Sequence, residues 1–323
     1  MNINSVDMSK PNNSTSQHRS HRSIKSMVCS LNYYILLSAV WMVSLIPFGV
    51  LHMLSDIIYF PLYHWVRYRR RVVRKNLVES FPEKSHAEIV AIEKRFYHSF
   101  IDVILESFKL LSISPKKMMR HMKFVNIDLI NNLTAQGKSV SVFIGHYGNW
   151  EWLASMGLVL ENNPIEAHVF HKLHNDATDR LMRKMRGRFG HVNVDMYKTA
   201  RFIASVAHEN RPCTMGYIAD QSPKYGDSKH FIPFLNHSTP VLTGTEKLTK
   251  HFGYEAAFVG MKRVKRGYYE CRFSILHPDP KSLPDFELTR LYYQRLEAEI
   301  REHPELYLWT HNRFKHAIYG SGQ

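Results

Sequence analysis

The chain opens its hydrophobic pattern with one long run. Residues 33–66, YYILLSAVWMVSLIPFGVLHMLSDIIYFPLYHWV, are apolar with few interruptions, and the stretch from Cys29 to Leu54 carries no Lys, Arg, Asp or Glu. That meets the roughly 20 residues needed to cross a bilayer. Pro47 and Gly49 break the run and Asp56 interrupts its second half, so a tilted span and a broken hairpin lying in one leaflet both fit, with a buried core helix as the bland alternative. Further on, Ile89, Ile92, Phe96, Phe100, Val103, Ile104, Phe108 and Leu111 recur near a 3.6-residue period, Ser85 and Glu88 have capping-box spacing, and Pro115 follows. This predicts an amphipathic helix between Lys84 and Leu111.

After that helix, short β-rich runs alternate with helical ones. Strands are predicted at SVSVFI (139–144), EAHVF (166–170), CTMGYI (213–218), EAAFVGM (255–261) and YYECRFSIL (268–276). Helices are predicted from about Trp150 to Leu160, over 176–188, 199–209 and 241–252, and from Asp285 to about Arg301. Such alternation reads as α/β layers around a largely parallel sheet. The expected division is a solvated polar tail over 1–26, a hydrophobic membrane anchor over 27–66, and one catalytic-size body over 67–323 whose first part, 67–125, is a helical lead-in.

Charge changes the picture next. Lys and Arg outnumber Asp and Glu to give a formal charge of +15, which predicts an anionic partner: nucleic acid, a phosphate-rich lipid surface or an acidic carrier protein. No helix-turn-helix, Cys/His finger or aromatic RNP run is present to support nucleic acid. The cluster RYRRR (67–71), with Arg74 and Lys75, is denser than the charge before the apolar run, so the body is expected on the cytoplasmic side. Tyr33, Tyr34, Trp41, Tyr59, Tyr63 and Trp65 suit an interfacial belt. Three scattered cysteines, Cys29, Cys213 and Cys271, argue against a disulfide framework or a zinc cluster.

Candidate chemistry centres on GHYGNWE (145–151), which follows directly on SVSVFI. About two H-x4-[DE] matches are expected by chance in a chain this rich in histidine, and three occur: His146/Glu151, His171/Asp176 and His174/Asp179. Open α/β sheets carry their sites at the carboxyl ends of strands, and His146 has that position most clearly. Residues five apart on one helix diverge by about 140°, so the turn must fold back. Gly148 supplies the backbone freedom, Asn149 is a suitable N-cap, and Glu151 falls in the first helical turn. A histidine oriented by a carboxylate is able to take a proton from an alcohol; a satisfied structural histidine is the alternative. There is no G-x-S-x-G elbow to supply a serine nucleophile and no H-E-x-x-H zinc motif.

GHYGNWE resembles the H-x4-[DE] box of glycerolipid and lipid A acyltransferases, and its glycine before the histidine and inner Gly-Asn-Trp resemble the late acyltransferases of lipid A biosynthesis. Further matches follow in that family's order: NLVESFP (76–82), N-D-x-x-D-R-L before RGRFG (186–190), ADQSP (219–223), FIPFL (231–235), TGT (243–245) and PELYLWTHNRFK (304–315). Together they cover about residues 30 to 316.

The resemblance implies a glycerolipid-acyltransferase-like layered sheet with flanking helices and an N-terminal membrane-anchoring segment. It implies transfer of a fatty acyl group from acyl carrier protein thioester, or acyl-CoA, to a hydroxyl of a lipid A precursor at the cytoplasmic face of the inner membrane. His146 would be general base and Glu151 its orienting partner, with no acyl-enzyme, metal or bound cofactor, and no nucleic-acid partner. Other acceptors within the class are a phosphatidylinositol mannoside, a lysophospholipid or an aminoacyl lipid; a non-catalytic lipid-binding protein of the same fold is the other reading.

Substrate-contacting positions follow from the same matches. Arg186 and Arg188 would hold phosphate, against the alternative of a solvated helix face; Asp220 and Gln221, after a predicted strand, would line the site; His311 and Arg313 would contact substrate or serve packing; Asn149 would be a cap first and a site residue second. One departure stands out. The family commonly has Tyr-Arg after the strand that follows the box, where this chain has Phe170-His171, and a protonated His171 would stand in for the missing cation.

Overall fold

The computed structural model describes residues 14–209, 211–224 and 230–319. Helix α1, Ser14–Leu45, begins inside the segment expected as a solvated tail; residues 1–13 lie outside the described residues. α2, Phe48–Phe60, runs into a π-turn at Pro61–Val66. Between α1 and α2 the chain bends by 115°, and among the described residues no single helix is long and apolar enough to cross a membrane. Pro47 supplies the break, and α4 holds the bend from inside. Lys109, at the end of α4, donates to the carbonyls of Ser44 (2.6 Å) and Ile46, and the Ser112 hydroxyl donates to Ser44 as well (2.7 Å). These bonds satisfy carbonyls that a helix end leaves unpaired. Both arms of the bend keep an apolar face exposed, including Ile35, Trp41, Met42, Met53, Ile57 and Trp65.

The lead-in consists of α3, Arg70–Ser80, α4, His86–Phe108, and α5, Pro115–His121. The capping box forms as predicted: the Ser85 hydroxyl accepts from the Glu88 amide, and the Glu88 carboxylate accepts from the Ser85 amide at 2.8 Å. The strands are β1, Met122–Val125, β2, Val140–Ile144, β3, Ile165–Phe170, β4, Val192–Asp195, β5, Cys213–Ile218, β6, Phe231–Phe234, β7, His237–Pro240, β8, Glu255–Lys265, β9, Tyr268–His277, and β10, Ile318–Tyr319. Seven form one sheet in the order β1-β9-β8-β2-β5-β3-β4; every pairing in it is parallel except β8 with β9. β6, β7 and β10 make a small antiparallel sheet.

Helices α6, Asp128–Ala135, α7, Asp176–Arg186, α8, Thr199–Val206, α9, Gly244–Phe252, and α10, Glu287–Glu302, connect or cover the strands. The five predicted strands are all present. β1, β4 and the β6–β7 hairpin lie outside those expectations, being only four residues long. β2 is central and wholly buried, as its unbroken apolar run requires in a parallel sheet covered on both faces. A continuous core joins it to α4, α10 and Trp309. Cys213 and Cys271 are buried free thiols.

Candidate active site

The carboxyl ends of β2 and β5 run side by side, with Ile144 level with Ile218 and the Ala219 amide donating to the Ile144 carbonyl at 3.1 Å. Two residues beyond each strand end stand His146 and Asp220. The His146 Nδ1 bonds the Asp220 Oδ1 at 2.7 Å, and the His146 backbone amide donates to Oδ2 at 3.1 Å, so one carboxylate fixes both the ring and its main chain. Burial pushes the Asp220 carboxyl up, but the neighbouring His146 ring and these bonds more than reverse that, and it lies below the ordinary carboxylate value. His146 keeps 15% of its side chain exposed, and its Nε2 takes no partner among the described residues. That is the arrangement a general base needs: one nitrogen held, the other open.

The turn is held from several directions. Gly148 has φ +61, as the fold-back requires, and a Cβ there would meet the Met261 sulfur at 2.6 Å. The His146 carbonyl accepts from the Leu308 amide (3.1 Å) and the Gly148 amide donates to Leu306 (2.9 Å), so residues 306–308 clasp the turn. Tyr292 and Tyr293 on α10 donate to the carbonyls of Ile144 (2.8 Å) and Ala219 (3.1 Å), pinning both strand ends.

Asn149 precedes a 3-10 helix, Trp150–Leu158, where an α-helix was expected, and its side chain makes no cap bond. The amide instead donates to the Glu106 carboxylate at 2.9 Å. Glu106, on α4, also takes His52 from α2 (2.9 Å) and Tyr269 from β9 (2.8 Å), and its carboxyl is raised by complete burial. Sequence reasoning missed this node, since nothing in the spacing of 52, 106, 149 and 269 signals it. The cap role of Asn149 is therefore corrected: it ties the turn to α4.

Glu151 does not take the ring nitrogen it was expected to take. Its carboxylate is gripped by Arg186, Nε to Oε2 at 2.8 Å and Nη2 to Oε1 at 2.6 Å, and the Trp150 indole donates to it at 3.2 Å. Burial pushes the Glu151 carboxyl up, yet the guanidinium beside it, helped by nearby His146, leaves it below the ordinary value. The 73° edge-on contact of Trp150 with the His146 ring, centroids 5.4 Å apart, bridges the two residues. The His146–Glu151 pairing is thus corrected to His146–Asp220, with Glu151 as a neighbour. The physical reason is strand adjacency: β2 and β5 are neighbours in the sheet, so Asp220 is already level with the ring.

The other predicted positions divide. Arg186 spends its planar fork on Glu151, and Arg188 donates to the carbonyls of Leu110 (2.8 Å) and Ile113, so neither guanidinium stands free on a helix face. The His311 ring is close enough to feel both Asp220 and His146, and burial lowers it to about 4. Arg313 is fully buried, donating to the Pro240 carbonyl (3.1 Å) and the Tyr293 hydroxyl (2.8 Å). Gln221 is exposed beside the site. His171 is exposed too, its Nδ1 bonded to the Lys172 carbonyl at 2.8 Å; of the rival pairs, 171/176 is exposed, while in 174/179 His174 is exposed and buried Asp179 accepts from the Leu173 amide.

Two further features border the site. A cleft lined by Phe96, Phe100, Val103, Trp150 and Leu308 opens beside Gly148. A basic groove is lined by Arg67, Arg69, Arg70, Arg71, Arg74 and Lys75. Arg70 and Arg74 pair with buried Glu93, and Arg69 donates at 3.0 Å to the carbonyl of Thr310, next to His311.

Comparison with known proteins gives the family. The sequence model of the bacterial lipid A biosynthesis acyltransferases matches residues 20–316. The chain is 25% identical over 290 residues to the lipid A biosynthesis palmitoleoyltransferase of Escherichia coli (strain K12), and equally to a lipid A biosynthesis acyltransferase of Shigella flexneri; each match covers 86% of this chain and 89% of the relative. A family match across nearly the whole described chain, on a mixed α/β fold with an oriented histidine at its strand ends, makes this protein an acyltransferase of the bacterial lipid A biosynthesis family.

Proposed function

We propose that the protein moves a fatty acyl chain from the thioester of acyl carrier protein, or from acyl-CoA, to a hydroxyl of a lipid A precursor at the cytoplasmic face of the inner membrane. The observation that carries the mechanism is the 2.7 Å bond from Asp220 to His146 Nδ1, with Nε2 open. Nε2 takes the proton as the acceptor oxygen attacks the thioester carbonyl carbon. The tetrahedral intermediate collapses, the carbon–sulfur bond breaks, and the imidazolium returns the proton to the departing thiolate. Asp220 fixes the tautomer and steadies the imidazolium. Glu151, paired with Arg186, holds Trp150 against the edge of the ring.

The crevice at Phe96, Phe100 and Val103 has room for about 10 Å³, so an acyl chain is proposed to enter there only as those side chains move apart. The exposed apolar faces of α1 and α2 dip into the leaflet, and the adjoining Arg67, Arg71 and Lys75 meet lipid phosphate or an acidic carrier, at about 1 kcal/mol per basic residue close to an anionic surface. Phosphate contact is proposed for this groove because Arg186 and Arg188 are already engaged.

The test is transfer of labelled acyl chain from carrier thioester or acyl-CoA to an under-acylated lipid A precursor, with a phosphatidylinositol mannoside, a lysophospholipid and an aminoacyl lipid run in parallel. The purified protein should acylate the lipid A precursor and His146→Ala should fall to background. Wild-type activity in His146→Ala would overturn the mechanism; transfer to another acceptor alone would overturn the substrate.

A further inference from the structure

Away from the proposed base, Glu166 and His168 project from β3 on the same face, two residues apart. β4 runs parallel to β3 with Val192 level with Ala167, which brings His191, just before β4, alongside them. One ligand atom from each of the three residues lies within 4.8 Å of the other two. The His168 and His191 rings stack with centroids 4.4 Å apart, and His168 Nε2 meets Glu166 Oε1 at 3.1 Å. His191 is only 5% exposed; the Ala154 backbone and the Asn193 side chain lie beside its ring, but neither ring nitrogen makes a hydrogen bond of good geometry. Buried ring nitrogens held only by such poorly aligned contacts are open to a stronger bond.

We propose that Glu166, His168 and His191 bind one divalent transition-metal ion of the zinc class, which clamps β3 to the turn preceding β4. Two imidazoles and one carboxylate suit zinc, cobalt or nickel, whereas calcium and magnesium prefer all-oxygen sets. The space is shaped for the ligands. A Cβ on Gly157 would come within 2.3 Å of Glu166 Oε2, and one on Gly216 would come within 3.3 Å of the His168 ring.

Tetrahedral zinc with bonds of about 2.0–2.1 Å holds its ligand atoms about 3.3 Å apart, so from separations of up to 4.8 Å the rings must splay from their stack and close by up to about 1.5 Å. Both histidines face the small cavity that also holds Glu151 and Arg186, which leaves a fourth position toward it. The carboxylate cancels one of the ion's two charges, and nearby Arg186 is already neutralised by Glu151. The ion takes no part in the proposed transfer; its role is to fix the wall that carries Arg186.

The experiment uses the full chain purified in detergent without a polyhistidine tag, stripped with chelator and titrated with Co2+. One equivalent is expected, with the intense visible absorption of a tetrahedral site, displaced by Zn2+. His191→Asn and Glu166→Gln should each weaken binding at least about tenfold, while His171→Asn, a surface histidine, should leave it unchanged. X-ray absorption at the zinc edge of the wild-type protein, which does not depend on any variant folding, should show two imidazole ligands. No stoichiometric ion, or binding that His191→Asn leaves intact, would overturn the site and identify Glu166–His168 as a metal-free hydrogen-bonded pair.

Discussion

Removing Arg186 isolates a buried carboxylate, and the structure lets the cost be worked out. Glu151 is 9% exposed and receives two charge-assisted bonds from Arg186 and one longer bond from the Trp150 indole. In Arg186→Met the carboxylate keeps only the indole. Breaking a buried pair by deleting one partner costs about 3–5 kcal/mol, and the lower end applies because a quarter of the Arg186 side chain is exposed. With about 2.1 cal/mol/K of unfolding entropy per residue, a chain this long should lose about 4 °C in Tm. The carboxyl of Glu151, now governed by burial, should rise above its ordinary value. Circular-dichroism melting of the wild type, Arg186→Met, Glu151→Gln and the double variant measures the coupling. The double variant should recover at least about half of the loss, because its amide carries no charge to strand. A loss under about 1 kcal/mol in Arg186→Met, or strict additivity in the double, would refute the reading of Glu151 as a carboxylate that depends on this arginine.

Three other outcomes follow from the geometry. Gly148→Ala should destabilise the turn and lower kcat together, since φ +61 is strained for alanine and its Cβ would strike Met261; unaltered melting and turnover would contradict the fold-back. Glu106→Gln places an amide donor against His52, Asn149 and Tyr269, and should cost about 1–3 kcal/mol in chemical denaturation, with no cost counting against the node. Stability should also fall on acidification. His311 is held down to about 4 against 6.5 in the unfolded chain, so the unfolded state takes the proton first and stability present above 6.5 is lost as pH falls toward 4. Asp220 and Glu151, both lowered, add to the loss at the acid end. His311→Asn should flatten the profile between pH 6.5 and 4, which melting across pH checks.

How much of this was legible in the sequence depends on range. Features set by near neighbours were: the α4 capping box, the buried run of β2, and the need for Gly148 at a fold-back turn. Strand pairing was not. His146 and Asp220 are 74 residues apart, and only the adjacency of β2 and β5 makes them partners; each was flagged because it follows a strand, but spacing favoured the wrong carboxylate. Arg186 was read as a phosphate ligand from its match to the family's arginines, with a solvated helix face as the alternative, and neither reading could see Glu151, which the tertiary fold supplies. The Glu106 node joins residues from α2, α4, the turn and β9, and no local pattern encodes it. The apolar run was visible, while its 115° bend depends on Lys109 and Ser112 reaching back to α1.

The most direct measurement is single-turnover acyl transfer by Asp220→Asn beside Glu151→Gln. In Asp220→Asn the side-chain amide would donate to Nδ1 and force the proton onto Nε2, removing the base while preserving the fold; losing an orienting aspartate in this way costs about 10⁴ in rate, or about 5.4 kcal/mol. The account predicts a loss of that order for Asp220→Asn and a smaller one for Glu151→Gln. Near-normal turnover in Asp220→Asn with activity abolished in Glu151→Gln would contradict it.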